Sequence, residues 1–177
     1  MLDQMVKLKP VFREDKGTAQ TDLSGDSFAQ FRNAIVASRQ SSLPNAGAIL
    51  SAVMGGKLSE GINFQDDLGR AVIVVGMPFP NPNDPEYQQL VAYLSTTFGS
   101  DVANQYAEDV CMKTVNQTIG RVIRHAKDYA SILLVDHRYQ RNSVRTKLPL
   151  WIQRNLQPLT QFGEVIKRMA QFYKQMR

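Results

Sequence analysis

Three short apolar runs limit what this chain can fold into. Residues 48–54 (AILSAVM), 71–75 (AVIVV) and 131–136 (SILLVD) lack the apolar–polar alternation of a half-exposed strand. Runs of this length suit strands covered on both faces, as in parallel sheets. The stretches between them read as helices. Phe28, Phe31, Ile35 and Val36 recur at helical spacing over 27–39, behind a cap at Ser24 or Asp26, and helical patterns follow at 86–98 and about 101–125. Two further patterns, 147–156 and 163–176, close the chain. Residues 41–47 (SSLPNAG) and the proline-rich 78–85 (PFPNPNDP) are loops by composition. Residues 1–25 are polar, with one hint of a strand at 9–14 (KPVFRE). Strands alternating with helices define an α/β fold with a mostly parallel sheet. Three strong strands are few for such a sheet, so the chain reads as a piece of a larger protein.

Several chemistries are excluded at once. Cys111 is the only cysteine, so no internal disulfide framework exists, and His125 and His137 are the only histidines, twelve residues apart with no acidic partner pattern. No metal site is expected. The longest apolar runs fall far short of the roughly 18 residues of a membrane span, and the N-terminus lacks a secretory pattern. The chain reads as a soluble intracellular domain with no membrane partner. Its charge is polarised: residues 1–112 carry eight Lys/Arg against thirteen Asp/Glu, and residues 113–177 carry thirteen against three. The basic third would attract phosphates, or it is a plain solvated surface.

Two segments could carry chemistry. Residues 55–61 (GGKLSEG) follow the first strong run, where glycines let backbone N–H groups approach a phosphate or form a tight turn. They are not a Walker A loop, which would need Gly at 51 and Ser or Thr at 58, where the chain has Ser51 and Leu58. The second segment is 116–124 (NQTIGRVIR). On a continuous helix Lys113, Gln117, Gly120, Arg121 and Arg124 share one sector, opposite Val115, Ile119, Val122 and Ala126. Two arginines three apart can reach one phosphoryl group, with Gly120 removing bulk between them, although a solvated face with a packing glycine reads the same way.

Taken together, GGKLSEGINF (55–64) and NQTIGRVIRHAKDYASILLVDHRY (116–139) resemble motifs V and VI of superfamily-two DNA helicases. DDLGRAVIVVGMPFPNP (66–82) and KLPLWI (147–152) extend the resemblance to the XPD-like, DEAH-type iron–sulfur group, and SEGINF with MPFPN point to its cohesion-linked ChlR branch. The resemblance covers roughly 47–156. It implies a RecA-like three-layer α/β domain, the second motor domain of a 5′–3′ DNA helicase acting in the nucleus, in repair or sister-chromatid cohesion. Residues 47–156 would be that motor domain, 1–46 an opening segment with one helix, and 157–177 a C-terminal helix.

The resemblance also assigns residues. Arg124, as the arginine finger, and Arg121 would be catalytic, facing the ATP γ-phosphate across the cleft. Gln117, Gly120, Gly61 and Glu60 would bind ATP, while Gly56, Lys57, Ser59 and Asn63 would bind DNA. Asn63 replaces the acid of many relatives, which leaves a hydrogen-bonding role there. Mg2+-bound ATP would sit at the interface with the first motor domain, whose Walker A lysine and DEAH carboxylates this chain lacks. The cluster cysteines are absent too, so an iron–sulfur cluster is expected only in the full-length protein. Partners would be single-stranded and forked DNA, the first motor domain, and replication-fork and cohesin factors. Alone, the chain would be inactive. The competing class is a non-catalytic nucleic-acid or protein-binding module with the same fold. Of the other residues, Cys111 reads as a core residue, Trp151 as a packing residue or a base-stacking one, and Asp136 as a turn residue or a catalytic one. Arg138, Arg141, Arg145 and Lys147 form a basic stretch that contacts DNA phosphates or is plainly solvated.

Overall fold

The computed structural model describes residues 8–14, 23–39, 46–56, 61–123, 125 and 127–176. Its elements run β1 (Val11–Arg13), α1 (Leu23–Arg39), β2 (Ile49–Ser51), β3 (Ala71–Val75), α2 (Pro85–Phe98), α3 (Ser100–Ile119), β4 (Ser131–Val135), α4 (Asn142–Arg145), α5 (Leu150–Asn155) and α6 (Phe162–Gln175). Every strand pairing among the described residues is parallel. Val11 to Arg13 align with Ile49 to Ser51, and Ala71 to Val75 with Ser131 to Val135. Among the described residues these are two separate pairs, β1–β2 and β3–β4. The strand hinted at in 9–14 is therefore real, and it pairs with the first strong run.

Each pair is backed by a helix on one side. Phe31 and Ile35 of α1 are buried, and Phe31 meets Phe12 of β1 edge-on at 6.2 Å. Val36, expected on that face, points to solvent. Phe28 stacks edge-on with Phe64 at 5.8 Å, which ties α1 to the loop before β3. The main core lies between β3–β4 and α3, where Val74, Met112, Val115 and Ile119 meet Tyr139, Val144, Leu148 and Ile152. Val72, Ile132 and Leu134 complete that face. The opposite face departs from expectation, since Ile73 and Val75 are 59% and 69% exposed. The unbroken apolar runs predict cover on both faces, whereas the described elements cover one.

Helix ends follow local chemistry. Asp84 caps α2 by accepting the Tyr87 N–H at 3.0 Å, with Pro85 in the first turn where a missing N–H costs nothing. Gly99, at φ 96°, separates α2 from α3 in a conformation that glycine adopts freely. α5 docks through buried Ile152, while Trp151, expected to pack, is exposed. No helix among the described residues is long and apolar enough to cross a membrane.

Cys111 is wholly buried, as its helical position predicts, and that burial pushes its thiol from an ordinary 9.0 up to about 11. A raised thiol pKa favours the neutral form in the fold. That contribution to stability is complete below pH 9 and lost as pH rises toward 11. At pH 8 a thiol reagent is expected to react with Cys111 at the rate of unfolding, and at once in denaturant. Rapid labelling of the folded chain would contradict the packing.

Candidate nucleotide and DNA interface

The segment expected to face nucleotide does not continue as helix. α3 ends at Ile119, and Gly120 caps it with its N–H on Asn116 O at 2.9 Å. The next residues tighten into i→i+3 bonds, Arg121 N–H to Thr118 O and Val122 N–H to Ile119 O. Val115, Ile119 and Val122 are buried as the helical pattern predicts. Lys113 and Gln117 are exposed, whereas Arg121 is half-buried. Its Nη1 donates to Ile62 O at 3.2 Å, and its carbonyl accepts the Phe64 N–H at 3.0 Å. Its Nε is buried without a partner among the described residues. A buried charged donor in that state is costly, so this edge of the guanidinium is incompletely satisfied by the described residues.

Gln117 and Lys113 remain on the exposed side of α3, beside Asp109, Met112, Asn116 and Lys147, around an open groove of about 570 Å³. Asn116 Nδ2 fixes the far wall by donating to Lys147 O at 2.8 Å. Lys147 is itself neutralised by Glu108 at 2.9 Å and Asp109 at 2.6 Å. Gly120 and Gly61 are exposed.

The glycine turn after β2 is anchored from β1. Glu14 Oε2 accepts the Val53 N–H at 2.9 Å, and Gly56 N–H closes the turn on Val53 O at 3.0 Å. A side chain at Gly56 would lie 2.8 Å from the Glu14 carboxylate and 3.0 Å from Val53 O, so glycine leaves Glu14 room against the turn. Gly55, at φ 79°, packs beside Thr114 of α3. A carboxylate thus stands where a phosphate would approach Gly56, and a DNA contact there needs Glu14 to swing aside. Asn63 is exposed in the loop that follows. Lys57, Ser59, Glu60 and Arg124 lie outside the described residues.

The histidine without an expected acidic partner has one. His125 Nε2 lies 3.1 Å from Asp66 Oδ1, and with Asp128 their ligand atoms fall within 4.8 Å of one another. Asp128 also receives Arg70 and the Tyr129 N–H, so the three side chains form a hydrogen-bonded junction.

The basic stretch after β4 is partly spent internally. Asp136 accepts the Arg138 backbone N–H at 2.8 Å and the Arg138 fork at 2.9 and 2.7 Å, which makes it the turn residue its position predicts. That guanidinium also lies over the Phe79 ring at 5.4 Å, whereas Arg141 and Arg145 are exposed. The Arg138 fork holds the Asp136 carboxyl well below the usual carboxylate range. A depressed carboxyl pKa adds stability above its ordinary value of 3.8, and that contribution is lost as pH falls. Asp136→Asn is expected to flatten the acid limb of a urea-midpoint-against-pH curve, and an unchanged limb would contradict the pairing.

Parallel strands joined through helices, with a glycine turn after β2 and an arginine-bearing turn before β4, make a RecA-like fold. The chain belongs to the helicase C-terminal domain family, whose model matches residues 3–155. It is 42% identical over 172 residues to ATP-dependent DNA helicase chl1 of Schizosaccharomyces pombe, covering 94% of this chain and 19% of that protein. It is 40% identical over 180 residues to ATP-dependent DNA helicase DDX11 of Mus musculus, covering 99% and 20%. It is 48% identical over 128 residues to ATP-dependent DNA helicase chl-1 of Caenorhabditis elegans, covering 72% and 15%. The solved structure of S. tokodaii Xpd4 is similar at a TM-score of 0.49 and 22% identity, over 81% of this chain and 25% of that one. The chain spans about a fifth of the length of the first two relatives.

Proposed function

We propose that this chain is the second motor half of an ATP-dependent 5′–3′ DNA helicase, contributing the arginine finger and part of the single-strand track. Residues 47–156 form the motor domain, 1–46 its opening segment and 157–177 a C-terminal helix. The observation that carries this reading is the bond pair between Arg121 and residues 62 and 64. It fastens the arginine turn to the loop leading out of the glycine turn, so a nucleotide-facing and a DNA-facing segment form one body. The Nε of Arg121, buried without a partner among the described residues, is a donor that an anionic ligand would satisfy. ATP supplies the phosphoryl chemistry, with Mg2+ held by the first motor domain. Arg121 and Arg124 neutralise charge developing on the transferred group, and Gln117, Gly120, Gly61 and Glu60 line the nucleotide side. Gly56, Lys57, Ser59 and Asn63 face the DNA backbone, with exposed Arg141 and Arg145 adding sequence-independent phosphate attraction. Cys111, buried and the only cysteine, does not fit a four-thiolate cluster, so any iron–sulfur cluster belongs to another part of the longer protein. Work in the nucleus on single-stranded and forked DNA, beside replication-fork and cohesin factors, completes this reading.

The test is ATP hydrolysis with and without single-stranded DNA, by this chain and by the full-length protein. Turnover confined to the full-length protein is expected, because catalysis needs both faces of the cleft. Robust turnover by the chain alone would overturn the reading, and DNA binding without turnover in either form would favour a non-catalytic binding module.

A further inference from the structure

The loops that precede β3 and β4 run side by side, and the bonds of Arg121 are only the first of their fastenings. Further along, the Asp128 side chain is completely buried and receives Arg70 Nη1 at 2.8 Å, the Tyr129 N–H at 2.9 Å and the Asp66 N–H at 3.4 Å. Arg70 spans the same junction. It donates to Tyr129 O at 3.0 Å, reaches Asp67 at 3.0 Å and lies over the Tyr129 ring at 4.1 Å. Asp66 closes it from the other side through His125 at 3.1 Å. Asp66 also holds φ at 54°, the only left-handed non-glycine residue among those described. A residue persists in that conformation when its surroundings dictate it, and such positions gather at functional segments. A buried carboxylate that loses its cation is left uncompensated, so this hub resists opening far more than exposed backbone bonds would.

We propose that Asp66, Arg70 and Asp128 are positioning residues that clamp the loop leaving the glycine turn to the loop carrying Arg121 and His125. Movement at the nucleotide is thereby delivered to the DNA-facing loop as a rigid displacement rather than absorbed between two flexible segments. Asp66 and Arg70 lie outside the two segments that resemble motifs V and VI, and Asp128 lies within the second; the clamp rests on the motor reading given above.

The full-length protein tests it through the ratio of ATP hydrolysis with and without single-stranded DNA, and through strand separation. Asp66→Gly cuts the His125 tie while keeping the N–H to Asp128, and glycine adopts φ 54° without strain. It is expected to lower DNA stimulation at least tenfold and to abolish strand separation, with the DNA-free rate within twofold of wild type. Asp66→Asn keeps an acceptor and tolerates the left-handed backbone, and it is expected to restore stimulation to within threefold. Asp128→Asn is expected to uncouple in the same way, and should it not fold, Asp66→Gly decides. Stimulation within twofold of wild type in Asp66→Gly would overturn the clamp, as would an equal loss of the DNA-free rate. A wild-type protein without DNA-stimulated turnover would overturn the motor reading, and the clamp with it.

Discussion

Arg124→Ala in the full-length protein is expected to lower DNA-stimulated ATP hydrolysis by about 10³-fold or more, the scale attached to an arginine that stabilises a transferring phosphoryl group. Arg124→Lys is expected to rescue little, because an ammonium offers a point charge where two parallel N–H bonds are needed. Arg121 should behave differently. Its Nη1 bond to Ile62 O and its buried Nε make it part of the packing. Arg121→Ala is therefore expected to lose turnover and also to lose roughly 1.5–3 kcal/mol of stability, the range for a hydrogen bond to a charged group. Arg124→Ala is expected to leave the urea midpoint of the chain unchanged. Paired measurements of turnover and urea midpoint separate finger from strut. If Arg124→Ala kept at least a tenth of wild-type turnover while Arg121→Ala lost it, the two roles would be exchanged.

The outcome at Arg121 shows how far the sequence could be read. Residues 71–75 are a strand over their full length because branched side chains on a short unbroken run have few other uses. Burial of Val115, Ile119 and Val122 follows from their spacing. The break at Gly120 does not, since a helical projection places Arg121 and Arg124 on one face whether or not the helix persists. Arg121 bonds a carbonyl 59 residues away, and the acidic partner of His125 lies at the same separation. Glu14 under the glycine turn was hidden likewise, because its strand pairs with β2 only in the fold. The alternation of exposure along β3 is also tertiary, since Ile73 and Val75 are as apolar as Val74, and only the placement of α3 sorts them. Family motifs supplied the rest of the candidate site, including Lys57, Ser59, Glu60 and Arg124, on which the described residues bear only as neighbours.

Gly69 carries the largest expected effect on stability, and nothing in its local sequence announced it. Its φ of −141° is outside the left-handed region that favours glycine, so the constraint is one of space. A Cβ added there would lie 2.4 Å from Phe64 O, 2.9 Å from Phe64 Cβ and 3.1 Å from Val122 Cγ1. Phe64 cannot step back, because its N–H is bonded to Arg121 O and its ring is packed against Phe28. Val122 is buried on the other side. Gly69→Ala must therefore push the loop before β3 away from the loop before β4, at a cost of about 3 kcal/mol, the upper end of ordinary overpacking. Gly76→Ala is the control. Nothing lies within 4 Å of a Cβ at that glycine, and only its φ of 78° opposes alanine, so about 1 kcal/mol is expected. Urea midpoints of the two variants should differ by roughly 1 M for a chain of this size. Equal midpoints would mean that the two loops separate easily. In that case they could not move as one body, and the clamp built around Asp128 would have nothing rigid to hold.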